Sequence, residues 1–76
     1  MEAPMFEWIP IESKAMKAIG FDPETDTIYI RFNDEKEWWY SACPPSVWEE
    51  FIAPDQSKGA FMNKVLKAKP NGRYGG

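Results

Sequence analysis

A short polar run in the C-terminal half of the chain has the composition of an anion-binding turn. Ser57, Lys58 and Gly59 stand where a helix is expected to begin, and Asn63 and Lys64 follow on that helix. The first N–H groups of a helix lack partners inside it and attract phosphate or carboxylate, and a glycine lets that anion approach the backbone. A structural interpretation stays open: Ser57 caps the helix, Gly59 permits tight packing and Asn63 bonds a neighbouring loop.

A second set of candidate binding residues is aromatic or stacks on aromatic rings. The set consists of Tyr29, Arg31, Trp38 and Trp39. Tyr29, Arg31 and Trp39 are expected to share the outer face of a sheet, where a flat base or an apolar partner surface could stack on them. The alternative is an internal arginine–aromatic pair that the N-terminal residues cover through Phe6 and Trp8.

The sequence has few of the residues that usually act in general acid–base or nucleophilic catalysis. There is no histidine, and the only cysteine, Cys43, precedes a proline in a position that we expect to be buried and inert. The acids of two turns, at 22–26 and 34–35, lack the spacing of calcium ligands. Glu49 and Glu50 point in different directions on a helix, which does not suit a catalytic pair. The sequence predicts a protein that is not an enzyme and has no metal or other cofactor.

Length and charge restrict the classes of function further. The chain has 76 residues, a length that predicts one domain. Its net charge of −3 argues against the broad basic surface of a duplex-DNA-binding protein. From Ser57 onward, however, there are five basic residues and no acid, so an anionic ligand could bind there locally. No apolar run is long enough for a signal peptide or a membrane span. We expect a cytoplasmic protein with no membrane partner.

Three segments have the pattern of β-strands, in the order of a meander. The first runs from Ser13 to Phe21, and the second, 27–32, alternates apolar and polar residues. The third is the aromatic run 38–40, reached through a five-residue loop. That loop pairs Phe32 with Trp38, Ile30 with Tyr40 and Arg31 with Trp39, and keeps the apolar residues on one face.

Two short helices are expected to follow the strands. Pro45 suits the first turn of a helix that ends near Pro54 and carries an apolar stripe of Trp48, Phe51 and Ile52. The second helix begins after Asp55, Gln56 or Ser57 and buries Phe61, Met62, Val65 and Leu66. The predicted fold is therefore α+β: a small three-stranded antiparallel sheet with two short α-helices packed on one face. Residues 1–12 form an arm, 13–68 the domain and 69–76 a flexible tail.

The order of these motifs resembles the KTSC domain, a small bacterial and phage module also found at the C-terminus of some lysyl-tRNA synthetases. The resemblance covers residues 13–66. It is carried by Ser13, by the small apolar strand 18–22, by the aromatic run 38–40, by 43–51, and above all by the Ser-x-Gly-x-aromatic-x-Asn run at 57–63. Lys36 replaces a usual hairpin glycine, and Ser13 follows Glu12 where two serines are common. The resemblance implies a fold, since the family has no established biochemical activity.

Two functions fit these observations. The first is capture of a phosphate-bearing ligand, either a nucleotide signal that a phage version would sequester or a short single-stranded nucleic acid. The second is a protein–protein adaptor or inhibitor that docks on a host protein through the acidic Asp34–Glu35 loop and the aromatic face. Either would suit a homo-oligomer in the cytoplasm, which is the host's if the protein is phage-encoded.

Overall fold

A computed structural model describes residues 6–75, which form one five-stranded antiparallel sheet and two short helices. The elements in chain order are β1 (Ile9–Pro10), β2 (Met16–Asp22), β3 (Thr27–Phe32), β4 (Glu37–Tyr40), α1 (Pro45–Phe51), α2 (Lys58–Lys64), a 3-10 turn (Leu66–Ala68) and β5 (Asn71–Gly75). The strands follow one another across the sheet in sequence order. The expected α+β class with two helices is confirmed.

The prediction of three strands is wrong, because the sheet gains a strand at each edge. β1 has only two residues and ends in a proline, and β5 contains two glycines and no apolar alternation. Neither segment has the period-2 pattern by which a strand is recognised. Within the predicted tail of residues 69–76, Asn71–Gly75 forms a strand that pairs with β4, and Gly76 lies outside the described residues. The first predicted strand began three residues too early, at Ser13 instead of Met16.

The Phe32 N–H donates to the Lys36 carbonyl at 2.8 Å, so the hairpin between β3 and β4 is closed around three residues, 33–35, where the sequence predicted a five-residue loop. Ile30 pairs with Trp38 and Tyr29 with Trp39, so the predicted pairs are wrong. The error is two residues, and side chains alternate with a period of two, so every residue stays on its predicted face. Glu35 closes the loop with a φ of 71° and a backbone bond to the Phe32 carbonyl at 3.0 Å. It takes the left-handed conformation that glycine usually supplies.

The core lies between the sheet and the helices. Ile19, Ile28, Ile30 and Tyr40 project from the sheet and are buried. From the helical side, Phe51, Phe61 and Leu66 complete the core, with the Phe51 and Phe61 rings 5.4 Å apart. The stripe predicted for the first helix ends one residue early: Ile52 is 42% exposed, because it caps the helix. Trp48 is half-buried and stacks on Phe21 at 5.3 Å.

The connection from β4 to α1 depends on a backbone conformation that the residue types in this segment do not predict. Ala42 has a φ of 56°, which is unusual for a residue with a Cβ. This turn lets the Cys43 N–H bond the Asp26 carbonyl at 2.8 Å and brings Pro44 to the start of α1. Within residues 6–75, neither helix has the length or apolar character to cross a membrane.

Candidate functional site

The predicted anion-binding run lies along an open groove of about 510 Å³. One wall is the segment 12–15, which links β1 to β2, and the other is formed by Pro54 and residues 56–59 at the start of α2. We call it the serine groove, because Ser13 and Ser57 contribute to opposite walls. The tertiary structure thus brings together two segments that are more than 40 residues apart in the chain.

The wall at 12–15 is held in place by Asn33, the residue that follows β3. The Asn33 side-chain amide donates to the Lys14 carbonyl at 2.8 Å and to the Ser13 carbonyl at 3.4 Å. The Asn33 backbone N–H donates to the Ala15 carbonyl at 3.0 Å. One residue therefore fixes three consecutive carbonyls of the wall. The sequence did not mark Asn33, which looked like an ordinary loop residue.

The other wall is the first turn of α2, and Ser57 caps it as predicted. The Ser57 hydroxyl accepts the Ala60 N–H at 3.3 Å, and the Ser57 carbonyl accepts the Phe61 N–H at 2.9 Å. Helix geometry leaves the N–H groups of Lys58 and Gly59 without an intrahelical acceptor. Gly59 is not needed for packing: a Cβ built on it meets nothing within 4 Å.

Residues with hydroxyl and ammonium groups line this groove on both walls. The Ser13 oxygen accepts the Ala15 N–H at 3.4 Å, so both serines use their oxygen as an acceptor and can donate their proton to a bound group. Lys14 and Lys58 bring positive charge, and Glu12 brings one negative charge. The Lys58 ammonium also lies 5.9 Å from the centre of the Phe51 ring. The groove is cationic by one charge and rich in donors.

Asn63 and Lys64 do not join this groove. Both are exposed and lie near the end of α2, and neither lines the serine groove. The structure therefore divides the predicted run, with Ser57, Lys58 and Gly59 inside the site and the last two residues outside it.

The aromatic outer face is not open, because the chain covers it. The Phe6 ring stacks on Tyr29 with a centroid distance of 4.2 Å and an interplanar angle of 7°. The Arg31 guanidinium lies 4.4 Å from the Trp8 ring and bonds the Glu37 carboxylate at 2.6 Å. The N-terminal residues thus cover this face, as the alternative interpretation expected, but Arg31 stacks on Trp8 of the cover and its cross-strand neighbour is Glu37.

Two glycines of the sheet lie directly against aromatic rings of the outer face, one under the covering Phe6 and one beside Trp39 of β4. A Cβ on Gly20 would lie 2.2 Å from the Phe6 ring, and one on Gly72 would lie 2.7 Å from the Trp39 ring. Tyr74 of β5 completes the cluster at 4.6 Å from Tyr29. Burial, with the nearby Tyr74 and Asp22 charges, raises the pKa of Tyr29 above its ordinary value. Tyr74 was missed because the tail was predicted to be flexible.

Trp38 points to the opposite face and lines a second groove of about 420 Å³. Its lining residues, which define the tryptophan groove, are Phe32, Trp38, Tyr40, Met62, Lys67 and Asn71. Trp38 and Trp39 are adjacent in β4 and therefore lie on opposite faces of the sheet. The predicted aromatic set does not form one site.

Cys43 is buried, and burial raises the pKa of its thiol, which keeps it in the unreactive protonated form. In the part of the chain that the structure describes, no three His, Cys, Asp or Glu side chains cluster as metal ligands would.

A model of the KTSC domain matches residues 12–69. The chain belongs to the KTSC domain family. It is 33% identical over 60 residues to a protein of Tsukamurella paurometabola, covering 79% of this chain and 88% of that protein. It is 29% identical over 59 residues to an uncharacterized protein of Stutzerimonas stutzeri, covering 78% and 82% of the two chains.

The fold of the KTSC domain agrees with a solved structure. The crystal structure of a KTSC domain protein from Yersinia pestis superposes with a TM-score of 0.83 at 25% identity, covering 92% of this chain and 99% of that one. The resemblance seen in the sequence is thereby confirmed. Its two serine-bearing motifs, at Ser13 and at residues 57–63, begin on the two walls of the serine groove.

Proposed function

We propose that this KTSC domain is a non-enzymatic binding module that holds a phosphate-bearing ligand in the serine groove. The observation that carries the proposal is the open space around Gly59. A glycine in the middle of a helix costs roughly 0.5–1 kcal/mol relative to alanine, and one in the first turn, such as Gly59, still lacks the helix preference of alanine. Here the glycine relieves no contact, so the packing interpretation has no support. Close approach of a bound group to the backbone accounts for it.

The donors along the groove match the acceptors of a phosphate. α2 has only seven residues, so its dipole by itself would contribute little. The opposite wall adds Lys14 and the Ser13 hydroxyl, and charge-assisted hydrogen bonds from ammonium groups are about twice as strong as neutral ones. Glu12 on the same wall disfavours a ligand of very high negative charge. The set favours one phosphate group over an extended polyanion.

The size of the groove favours a ligand as large as a nucleotide. Sites for small molecules and cofactors occupy roughly 300–1,000 Å³, and the serine groove has about 510 Å³. A nucleotide signal, or the phosphate of a short single strand, is the ligand class that we propose. Trp39 is withdrawn from the predicted base site because it lies on the outer sheet face against Gly72. A second copy that closes the open side of the groove would explain the homo-oligomer expected from the sequence.

A thermal-shift and calorimetric titration tests this function. The probes are inorganic phosphate, mononucleotides and cyclic di- and trinucleotides. A ligand at 100 times its Kd stabilises the domain by about 2.7 kcal/mol, which corresponds to a rise of roughly 10–20 °C in Tm. Lys58→Glu should abolish the rise, whereas Lys64→Glu, the same charge reversal on the same helix outside the groove, should largely keep it.

Two results would contradict the proposal. Either none of these phosphate-bearing probes raises Tm, or Lys64→Glu and Lys58→Glu weaken binding equally, which would indicate a general charge effect without a site. Turnover of a probe, followed by chromatography of the products, would contradict the non-enzymatic part.

The adaptor hypothesis is less well supported by the geometry. It required an open aromatic face, but Phe6 and Trp8 cover Tyr29 and Arg31. It also required an acidic hairpin loop, and Lys17 forms an ion pair with Glu35 there. A stoichiometric host partner recovered by pull-down, together with failure of every phosphate probe, would restore that hypothesis.

A further inference from the structure

We propose that the tryptophan groove is a second binding site, which takes a planar aromatic ring that carries an anionic group. It shares no lining residue with the serine groove, so it stands independently of the function proposed above. The proposal rests on the aromatic walls of the groove, on the reason why they remain open, and on the charge at the rim.

The walls of the tryptophan groove are mostly aromatic. Phe32 and Trp38 are half-buried, and Tyr40, with 6% exposure, lies deeper among the lining residues. Rings of this kind attract a flat guest by offset or edge-to-face stacking as well as by loss of apolar surface. Met62 comes from α2, and its flexible thioether adapts to guests of different outline.

The groove stays open because the helical layer covers these rings only in part, with Met62 of α2 and Lys67 of the 3-10 turn along it. α2 stops at Lys64, and the chain leaves through the 3-10 turn at Leu66–Ala68. Ile28 and Ile30 on the same sheet face have no exposed surface, whereas Phe32 and Trp38 keep part of theirs. A bound ring would complete the layer that the helices leave unfinished.

The polar residues at the rim of the groove favour a ligand with negative charge. Lys67 and Asn71 are its polar lining residues besides the Tyr40 hydroxyl, and both are exposed. Among residues 6–75 no acid lines the groove, and from Ser57 to the end of the sequence there are five basic residues and no acid. An ammonium group beside an aromatic wall favours a ring with a carboxylate or phosphate substituent over a neutral or cationic ring.

Chemical-shift titration of the full-length, 15N-labelled chain tests whether ring and charge are both required. The probes are indole-3-acetate, indole and acetate, with adenosine monophosphate as a nucleotide source of the same chemistry. We expect indole-3-acetate to shift the Trp38 indole N–H and the amides of Met62 and Asn71. Indole should bind more weakly, and acetate should leave these signals unmoved.

A matched pair of variants identifies the charge. Lys67→Gln should weaken indole-3-acetate binding roughly two- to fivefold, the range for an exposed charge pair, and should leave indole binding unchanged. Lys69→Gln removes the same charge two residues away, outside the groove lining, and should have no effect. Trp38→Phe keeps an aromatic ring in the wall, so the domain should still fold. This variant should weaken the binding of both indole-3-acetate and indole.

The outcomes separate this proposal from the function of the serine groove. If adenosine monophosphate shifts the amides of Ser57 to Gly59 and neither it nor indole-3-acetate shifts those around Trp38, the second site is wrong and the proposed function stands. Binding of indole-3-acetate at Trp38 without any phosphate effect at Ser57 would support the second site alone. Equal affinity for indole and indole-3-acetate, or no binding of either, would overturn the inference.

Discussion

The outer sheet face and the serine groove each contain a glycine beside residues that the sequence marks as binding candidates. Their surroundings are opposite. A Cβ on Gly20 would lie 2.2 Å from the Phe6 ring, whereas a Cβ on Gly59 would meet nothing within 4 Å. The first glycine makes room for the chain's own aromatic residue. The second leaves room that no described residue fills.

This difference has a physical cause in the size of the domain. A chain of 76 residues buries only about 60% of its unfolded surface, so covering large rings contributes a useful part of its stability. Phe6 and Trp8 bury apolar area at roughly 25 cal/mol per Å² when they cover Tyr29 and Arg31. Covering polar serines and lysines offers no comparable gain. The aromatic face is therefore covered by the chain's own rings, whereas the polar groove stays uncovered by the described residues.

The largest expected effect is at Gly20. Gly20→Ala should destabilise the domain by about 1–3 kcal/mol, because its methyl group overlaps the Phe6 ring that stacks on Tyr29. At an unhindered strand position the same substitution would be stabilising, so the sign is diagnostic. Urea unfolding measures the change, and an unchanged or higher midpoint would show that Phe6 does not lie on Gly20.

The second effect concerns the cover itself. Phe6→Ala should lower the free energy of unfolding by roughly 1–2 kcal/mol, through lost apolar burial and lost stacking. It should also lower the pKa of Tyr29 toward its ordinary value of about 10, because burial is the main cause of the present rise. Ultraviolet absorbance during alkaline titration measures that pKa, with Tyr29→Phe as the control that removes the signal.

The raised pKa of Tyr29 also predicts the sign of a pH dependence. The folded state favours the protonated phenol, so this contribution to stability is present below about pH 10, the unfolded value, and is lost as pH rises through the folded pKa. Phe6→Ala should flatten that loss. If the alkaline decline is the same in both proteins, Phe6 does not control the environment of Tyr29.

The third effect tests the wall of the serine groove. Asn33→Ala removes two side-chain hydrogen bonds to the Ser13 and Lys14 carbonyls and should cost about 0.5–1.5 kcal/mol. Phosphate affinity should fall although Asn33 does not line the groove. Calorimetry at a temperature where the variant is fully folded separates the two effects. Unchanged affinity would mean that the wall keeps its shape without these bonds.

The smallest effect is a gain in stability at Gly59. Gly59→Ala should stabilise the domain by about 0.5–1 kcal/mol, because the methyl group meets no neighbour and alanine favours the helix. It should also weaken phosphate binding, since the new methyl group stands where the ligand approaches the backbone. Stabilisation without any change in affinity would show that Gly59 does not contact the ligand.

Local signals in the sequence were sufficient for much of the domain. The alternation at 27–32 predicted β3 and the burial of Ile28 and Ile30. Asp55, Gln56 and Ser57 were the cap candidates from their position before the apolar stripe of α2, and the structure selects Ser57. These features depend on interactions between residues close together in the chain, so they can be predicted from a single sequence.

Other features depend on residues that are distant in the chain. β1 and β5 have little strand propensity and exist because β2 and β4 offer unpaired backbone groups at the edges. Strand alternation puts Trp38 and Trp39 on opposite faces of the sheet. The positions of α2 and β5 determine that Trp38 lines a groove and that Trp39 lies beside Gly72.

By itself, the sequence determined an α+β domain, its KTSC membership, and a serine–lysine–glycine turn at the start of a helix. Only the tertiary structure placed Ser13, held by Asn33, on the wall opposite that turn. Only the tertiary structure placed Phe6 over the aromatic face. Local hydrogen bonds and hydrophobic periodicity act over one or two turns of chain. A groove between distant segments, and the covering of a face by a terminus, depend on packing that no local pattern encodes.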